Sequence, residues 1–345
     1  MDTGIAVILA QDGIVNGAIY GLLGLAIVLV FSVTRIIFVP QGEFVAFGTL
    51  TMAMLQAGHV PGTLWLLLAA TAWLLASGAG DVFAGRVSGV TFLKGSLKTL
   101  LPGACASFLV YGLAAHRSDL ALQVLTTLVL VVPLGPLLYR AVYAPLASSS
   151  VLVLLIVSVA VHLALEGLGL LFFGAEGFRL QPLFKDNLSI GFLQLSGAAI
   201  SVLVVAIIAM AVLVVVFGTT IFGKALRATA SNATGARIVG IRPDRAGSLA
   251  FGIAAFVGAI SGLLIGPITT IYYDSGFLIA LKGFVAAIIG GLHSYPMTAL
   301  GAIFVGLSES FSSFYASAFK DAIVFALILP VLFLRSLRAP HREEG

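Results

Sequence analysis

The chain has 345 residues, of which 60% are hydrophobic and only 9% are charged, and its formal net charge at pH 7 is +4. Soluble globular domains carry about 25% charged residues, so this composition excludes an ordinary soluble domain. The basic residues lie at the ends of apolar runs rather than on one polar face. This distribution argues against a nucleic-acid partner and for the lipid bilayer.

Long apolar runs recur along the whole chain. A helix needs about 20 such residues to cross the hydrocarbon layer, whereas the strands of a membrane barrel alternate in polarity over about ten residues. Residues 202–218 are apolar at every position. The sequence therefore predicts an all-α, polytopic transmembrane helical bundle with roughly 8 to 10 membrane segments, broken helices included. The clearest spans are 13–33, 120–138, 151–173, 195–217 and 246–272.

The N-terminal apolar run is expected to remain in the protein as a span. Residues 1–12 contain Asp2 and Asp12 and no Lys or Arg. A cleavable signal peptide would begin with a basic segment. Glycines recur every fourth residue from Gly13 to Gly21 and again from Gly258 to Gly266. Such stripes of small residues let helix backbones approach closely in lipid, so both predict helix packing.

Two spans are interrupted by residues that break helices. Pro40 is followed by Gln41, Gly42 and Glu43, and the sequence YYDSG occupies 272–276. Irregular backbone at membrane depth needs surrounding protein or a water-filled cavity, and paired interruptions in two halves point to a substrate pathway in transporters. The alternative is two ordinary surface turns. Gln41 is accordingly a candidate for the substrate pathway.

Ionisable residues inside apolar runs supply the other pathway candidates, because each is costly at membrane depth. Glu43 is expected to face a cavity, paired there with Arg35; the alternative is an acid at the N-terminal turn of the next helix, where the helix dipole favours it. His162 and Glu166 are spaced i, i+4 and share a helix face. Lys282 is interpreted either as a site for an anionic group or as a side chain that extends to the membrane surface.

Residues 79–118 are less regular than the rest and are predicted to be an insertion into a single permease domain spanning residues 1–345. The one cysteine, Cys105, lies within this segment and can form no internal disulfide. The sequence offers no His or Cys at ligand spacing around His162, so no metal site is expected. It also lacks a phosphate-binding GxxxxGK[ST] loop and any nucleophile with a neighbouring His and acid. The chain is therefore not expected to be an enzyme or to bind a cofactor.

Residues 223–245 form a basic, alanine-rich loop between two long spans. Residues 224–239 contain no proline and are rich in alanine, so they are predicted to form a helix with small side chains. Gly240 is expected to end this helix, and Pro243 to begin the next span. Excess Lys and Arg predict that this loop, like the tail with Arg335, Arg338 and Arg342, is cytoplasmic. Helices that lie on lipid need bulky apolar side chains, so Lys224, Arg227 and Arg237 point to docking on a protein.

The sequence resembles the LivH-type permeases of branched-chain amino acid ABC importers. The resemblance lies in GKALRATASNATGARIVGIRPDR (223–245), in residues 282–310 and 319–327, and near the N-terminus in NGAIYGLLGLAIVLVFSV and QGE. By this resemblance the basic loop is the segment that seats in a cytoplasmic ATPase. The positions on the family pattern are Ala228, Asn232, Ala236, Gly240 and Ile241.

The resemblance implies a translocation subunit that works by alternating access in a bacterial or archaeal cytoplasmic membrane. The implied partners are a second identical or homologous permease, two ATPase subunits that hydrolyse ATP, and an extracytoplasmic substrate-binding protein. Branched-chain amino acids or a related small polar or carboxylate solute are the implied cargo. The residues alone leave a second class open, an ion-coupled secondary transporter or channel in which Glu43, His162 and Glu166 are proton-linked.

Overall fold

A computed structural model of the protein describes residues 3–83, 89–112, 119–182, 186–190, 193–292 and 294–338. Seven helices within these ranges are long and apolar enough to cross a membrane, and α12 (Ser275–Ile289) is a shorter apolar helix. The prediction of an all-α, multi-pass membrane fold is confirmed.

Most consecutive helices of the described ranges are joined by short connections, whereas residues 174–196 connect α7 to α8. Two π-helical segments, Phe108–Gly112 and Tyr139–Tyr143, extend helices, and strands β1 (Leu188–Ile190) and β2 (Leu193–Leu195) pair antiparallel with Leu188 opposite Leu195. Besides α12, the α-helices are α1 (Thr3–Thr34), α2 (Gln41–Gln56), α3 (Thr63–Phe83), α4 (Gly89–Ser107), α5 (Leu120–Val131), α6 (Leu134–Leu138), α7 (Val151–Phe173), α8 (Gly197–Thr219), α9 (Ile221–Ser231), α10 (Ala233–Ile238), α11 (Pro243–Ile265), α13 (Tyr295–Tyr315), α14 (Lys320–Ala326) and α15 (Ile328–Arg338).

The chain divides into two compact units. Unit 1 comprises Met1–Val28, Pro182–Met210 and Leu278–Gly345, and unit 2 comprises Leu29–Gln181 and Ala211–Phe277. Each unit therefore collects segments that are distant in the sequence.

The centre of unit 2 is the contact between α2 and α11, where the helix backbones nearly touch. A Cβ atom added to Gly48 would lie 2.8 Å from the carbonyl oxygen of Ala259. The hydroxyl of Thr49 donates to the carbonyl oxygen of Gly262 at 2.7 Å, and Gly258 faces Phe44. The predicted packing role of the Gly258–Gly266 stripe is thus confirmed.

Unit 1 contains the second close contact between helices, formed by α1 and α13. A Cβ on Gly13 would lie 2.8 Å from the Cα atom of Leu307, and one on Gly17 would lie 2.9 Å from the carbonyl oxygen of Ala302. Because only glycine leaves room for the opposite backbone, the N-terminal stripe packs α1 against α13 as the sequence predicts.

Both predicted interruptions are present. The first begins earlier than Pro40, since α1 ends at Thr34 and Arg35 has a positive φ of 60°. The second is longer than 272–276: α11 ends at Ile265, and Ile271 forms an isolated antiparallel bridge with Phe178 before α12 starts. The predicted span 246–272 is therefore wrong at its C-terminal end.

The predicted span 151–173 coincides with α7. The helix begins after Ser150, whose hydroxyl accepts from the backbone N–H of Val153 at 3.4 Å, and it ends at Gly174 with φ of 79°. A side-chain cap at the start and a glycine with positive φ at the end are the usual helix boundaries.

The predicted insertion, 79–118, contains the end of α3, all of α4 and the π-helical segment Phe108–Gly112. Cys105 lies on α4 with an exposed side chain. Residues 84–88 and 113–118 of this segment, and Arg342 of the tail, lie outside the described residues.

Candidate functional site

Glu43 lies in the first turn of α2 and is almost fully buried, with 1% of its surface exposed. Its Oε1 atom is 2.9 Å from Nδ1 of His162 on α7. The expected pairing with Arg35 is wrong: the Arg35 guanidinium lies over the ring of Phe31, 5.9 Å from its centroid. The break after α1 turns the backbone at Arg35, and Glu43 finds its partner on α7 instead.

His162 joins two carboxylates in unit 2. Its Nε2 atom is 3.5 Å from Oε2 of Glu166, one helical turn further along α7, and its ring stacks on Phe277 with a centroid distance of 4.5 Å. An imidazole with a carboxylate at each nitrogen donates to both when both nitrogens carry protons. The predicted shared face of His162 and Glu166 is confirmed, and Glu43 completes the cluster.

Gln41 is fully buried two residues before Glu43. Its Nε2 atom donates to the carbonyl oxygen of Ala254 on α11 at 3.0 Å. This hydrogen bond therefore links the start of α2 to α11, next to the cluster of Glu43, His162 and Glu166.

A cavity of about 90 Å³ lies next to Glu43 within unit 2. Glu43 is the one charged residue of its lining, which otherwise consists of leucine, phenylalanine and alanine side chains from α2, α3, α6, the π-helical segment after α6, and α7. Glu43 therefore borders an otherwise apolar cavity of unit 2.

Lys282 belongs to unit 1 and forms a second charged cluster there. Its Nζ atom lies 2.5 Å from Oε1 of Glu309 and 2.9 Å from Oδ1 of Asp321. The hydroxyl of Tyr20 donates to the other oxygen of Glu309. The ammonium group is thus buried and paired, so the interpretation of Lys282 as a side chain reaching the membrane surface is wrong.

Sequence analysis missed Tyr20, Glu309 and Asp321. Glu309 lies inside an apolar helix, and this was the signal that could have identified it. Its pairing with Lys282 joins two helices, α12 and α13, whose alignment no local pattern shows.

The basic loop folds into two short helices rather than one. The side chain of Thr220 accepts from the N–H of Gly223 at the start of α9, and Asn232 accepts from the N–H of Gly235 at 2.8 Å at the start of α10. Asn232 interrupts the predicted single helix because its extended backbone ends α9 and opens α10. Gly240 has φ of 86°, which confirms its predicted role as the stop.

The positively charged side chains of this loop are all exposed, namely Lys224, Arg227, Arg237, Arg242 and Arg245. Arg227 also donates to the carbonyl oxygen of Gly218 near the end of α8 at 3.2 Å. Ala236 is buried and Ala228 partly so, while Ile238 and Val239 expose 82% and 73% of their surface. The N–H of Ile241 donates to the carbonyl oxygen of Ala236 at 2.9 Å, which closes the end of α10.

Metal-binding groups are not evident in the part of the chain that the structure describes. Within it, no three His, Cys, Asp or Glu side chains are arranged to hold a metal ion. The chemistry available there is that of buried ion pairs and an apolar cavity.

These features define a multi-pass membrane protein with buried charged clusters and an exposed basic segment between two long spans. The chain belongs to the family described as branched-chain amino acid transport system, permease component, whose model matches residues 9–332. The family membership makes it a permease component of an ABC transporter.

Similar curated proteins include the high-affinity branched-chain amino acid transport system permease proteins LivH of Escherichia coli (strain K12) and of Salmonella typhimurium. Each is 26% identical over 212 residues, which are 59% of this chain and 69% of the relative. The corresponding protein BraD of Pseudomonas aeruginosa is 27% identical over 212 residues, with the same shares of both chains. No solved structure matches the chain significantly.

Proposed function

We propose that this chain is the translocation subunit of an importer that carries branched-chain amino acids, or a closely related solute, across the cytoplasmic membrane of a bacterium or archaeon. The match of the family model to residues 9–332 carries this proposal. Relatives in three bacteria, all high-affinity branched-chain amino acid permeases, support this choice of cargo.

The chain supplies the path, and ATP is hydrolysed by two cytoplasmic ATPase subunits. A second permease, identical or homologous, and an extracytoplasmic binding protein complete the importer. The chain itself binds no cofactor in this proposal. Binding of ATP closes the ATPases, and the permease switches its open side because its contacts differ between the two states.

The substrate pathway in this proposal runs past the buried polar groups that the sequence singled out. The cluster of Glu43, His162 and Glu166 in unit 2 lies beside an apolar cavity, and Gln41 fixes the start of the same helix. Lys282 is the candidate of unit 1, where two carboxylates hold it. Both clusters are buried ionisable groups of the kind that mark transport pathways.

In this proposal, the permease docks on the ATPase through its basic loop, which is formed by α9 and α10. Exposed Ile238 and Val239 next to Arg237 combine an apolar anchor with a positive charge, a composition that suits the centre of a protein interface. Ala228, Asn232, Ala236, Gly240 and Ile241 shape the loop, and Lys224 and Arg227 add positive charge.

Reversal of one charge tests this surface. We expect Arg237→Glu to abolish capture of the ATPase subunits by the purified permease. The arginine is expected to face negative charge on the ATPase, and a glutamate at this position would be repelled by it. Arg237 is a better choice than Arg227, which also contacts the end of α8. Co-purification from membranes measures the outcome.

The matched control is Arg237→Lys, which keeps the charge and is expected to retain the complex. Both variants must insert in the membrane and elute as a single species. If Arg237→Glu assembles as well as the unaltered chain, the loop is not the docking surface.

A second candidate function is an ion-coupled transporter or channel. The observation in its favour is the cluster of Glu43, His162 and Glu166, three titratable groups in contact on α2 and α7. The energy source of transport separates the two functions, as described in the Discussion.

A further inference from the structure

Two bulky apolar side chains are exposed at the start of α9, immediately before the basic loop of residues 223–245. Ile221 exposes 82% of its surface and Phe222 exposes 69%. Contiguous apolar surface of this kind marks a place that another molecule or the membrane covers. The surroundings of these two residues in unit 2 indicate which of these it is.

The exposed surface of α8 leads directly to this turn. This helix is the most apolar and the least buried of the seven candidate spans in the described ranges. Near its C-terminal end, Val212, Val214 and Val215 expose 51% to 68% of their surface. A span in the hydrocarbon layer presents such side chains to lipid acyl chains. The apolar surface therefore continues from a membrane span into the first turn of α9.

Three contacts fix the corner between α8 and α9. The hydroxyl of Thr220 donates to the carbonyl oxygen of Val216 at 2.6 Å and accepts from the N–H of Gly223 at 3.0 Å. A Cβ atom added to Gly223 would collide with that same carbonyl oxygen, so α9 starts directly against the backbone of α8. The guanidinium of Arg227 donates to the carbonyl oxygen of Gly218 at 3.2 Å. These contacts hold the first turn of α9 next to the end of α8.

The length of α8 sets the depth of this turn in the membrane. The helix has 23 residues and is therefore about 34 Å long, whereas the hydrocarbon layer is about 30 Å thick. Ile221 and Phe222 consequently lie where acyl chains meet headgroups. Lys224 is exposed and lies one helical turn after Ile221. Its long side chain reaches the headgroups while its stem stays on the apolar surface.

We propose that the first turn of α9 anchors the loop to the membrane surface. Ile221 and Phe222 insert between lipid acyl chains, and the ammonium group of Lys224 binds headgroup phosphates. Bulky apolar side chains beside a cation are the composition of helices that lie in this boundary. The occupant of this surface is therefore phospholipid.

The inference goes beyond the proposed function, because it divides the loop between two partners. The extended backbone of Asn232 separates α9 from α10. The first turn of α9 contacts lipid, whereas α10, with exposed Ile238 and Val239, faces the ATPase subunits. Movement of α10 then takes place relative to a turn that stays on the membrane.

Fluorescence quenching tests the anchor on the permease alone in lipid nanodiscs. The native cysteine is removed by Cys105→Ser, and the dye bimane is attached at Phe222→Cys. Phosphatidylcholine with a nitroxide near the headgroup end of its acyl chain reports contact with lipid, and iodide in the buffer reports contact with water. We expect the nitroxide lipid to quench the dye strongly, because this side chain lies among acyl chains.

The matched control is Ile238→Cys with the same dye, an equally exposed apolar position on α10. We expect iodide to quench this dye about threefold more than the dye at Phe222→Cys, and the nitroxide lipid to have little effect on it. Ile221→Cys places the dye in the same turn as Phe222 and is expected to give the lipid-quenched result. The test therefore does not depend on the folding of one variant.

Charge reversal tests the headgroup contact. In the Phe222→Cys chain we expect Lys224→Glu to raise iodide quenching about twofold, because phosphates repel the carboxylate. Lys224→Arg keeps the charge and is expected to leave quenching unchanged.

Three results would overturn the inference. Iodide quenching at both labelled positions of α9 that equals quenching at Ile238→Cys would place the first turn in water. Protection of both positions from iodide and from the nitroxide lipid would show that protein, such as a second copy of the chain, covers them. Equal quenching in the two Lys224 variants would refute the headgroup contact. Since only the permease is measured, none of these results bears on capture of the ATPases, which the Arg237→Glu assay decides separately.

Discussion

Lys282 contacts two carboxylates at once, and this distinguishes it from an ordinary ion pair. Glu309 is as buried as the lysine, whereas the side chain of Asp321 is 39% exposed. Removal of one partner from a buried pair leaves an uncompensated charge, which costs far more than the pair contributes. The cluster therefore depends on the lysine more than on either acid.

The variant Lys282→Met is expected to destabilise the protein by about 3 to 5 kcal/mol, because it leaves Glu309 buried without its counter-charge. The midpoint of thermal unfolding in detergent measures this loss. The double variant Lys282→Met with Glu309→Gln should recover part of it, since the uncompensated charge is then gone.

Lys320→Met provides the comparison, because this lysine starts α14 next to Asp321 but its side chain is only half-buried. We expect little change in its unfolding midpoint. Equal losses in the two lysine variants would show that burial of the Lys282 pair has no special role.

The sequence predicts only the local part of each charged cluster. His162 and Glu166 are four residues apart on one helix, and helical periodicity is sufficient to place them together. Glu43 and His162 are separated by 119 residues, and Lys282 and Glu309 lie on different helices. Such contacts depend on how helices align, which apolar periodicity in lipid does not specify.

Among the elements, α2 and α11 make an extensive close contact in unit 2. Gly48 faces the backbone of Ala259, and Thr49 donates across the contact to Gly262. In lipid, close backbone approach replaces the hydrophobic driving force that joins helices in water. The pair is thus held by dispersion and hydrogen bonds along its backbone.

The variant Gly48→Ala is expected to lower stability by about 1 to 3 kcal/mol, because the new methyl group would meet the carbonyl oxygen of Ala259 at 2.8 Å. The same substitution at Gly167 of α7 is the control, since nothing lies within 4 Å of its added Cβ. We expect Gly167→Ala to be neutral or slightly stabilising, because alanine favours the helix. Unfolding midpoints compare the two, and equal effects would contradict close packing at Gly48.

Helix boundaries are predictable where the sequence itself carries the signal. The predicted span 151–173 coincides with α7, which Ser150 and Gly174 bound. In contrast, α11 ends at Ile265, seven residues before the predicted end of its span, because Pro267 has no N–H to continue the helical hydrogen bonds. The apolar residues that follow continue the hydropathy pattern, but Ile271 pairs with Phe178 instead of extending the helix.

For the whole molecule, the energy source of transport is the property that separates an ABC permease from an ion-coupled carrier. The sequence contains no phosphate-binding loop, and the family match assigns the chain to a permease component. Transport by this chain is then a property of the assembled importer.

In vesicles that contain the assembled importer, uptake of radiolabelled leucine is expected to require enclosed ATP and to persist after a protonophore collapses the proton gradient. Under the proposed function, the chain without ATPase subunits should transport nothing. Uptake driven by the proton gradient alone would instead support the ion-coupled alternative, in which Glu43, His162 and Glu166 are the candidate proton-linked groups.

Composition and span length were sufficient to predict a multi-pass helical membrane protein, because a chain with so few charged residues is compatible with the lipid bilayer and not with water. Composition and span length were not sufficient to predict the two compact units of the chain. The two units combine segments from across the sequence, and such division follows from contacts between distant helices, which are invisible in a linear hydropathy pattern.

The exposed thiol of Cys105 has a practical consequence. It is the single cysteine of the chain, so a maleimide dye attaches at one known position on α4 without prior mutagenesis. A second cysteine introduced at an exposed position such as Ser231 on α9 would create a pair of attachment points. Energy transfer between two such dyes would then follow movement of the docking loop during the transport cycle in real time.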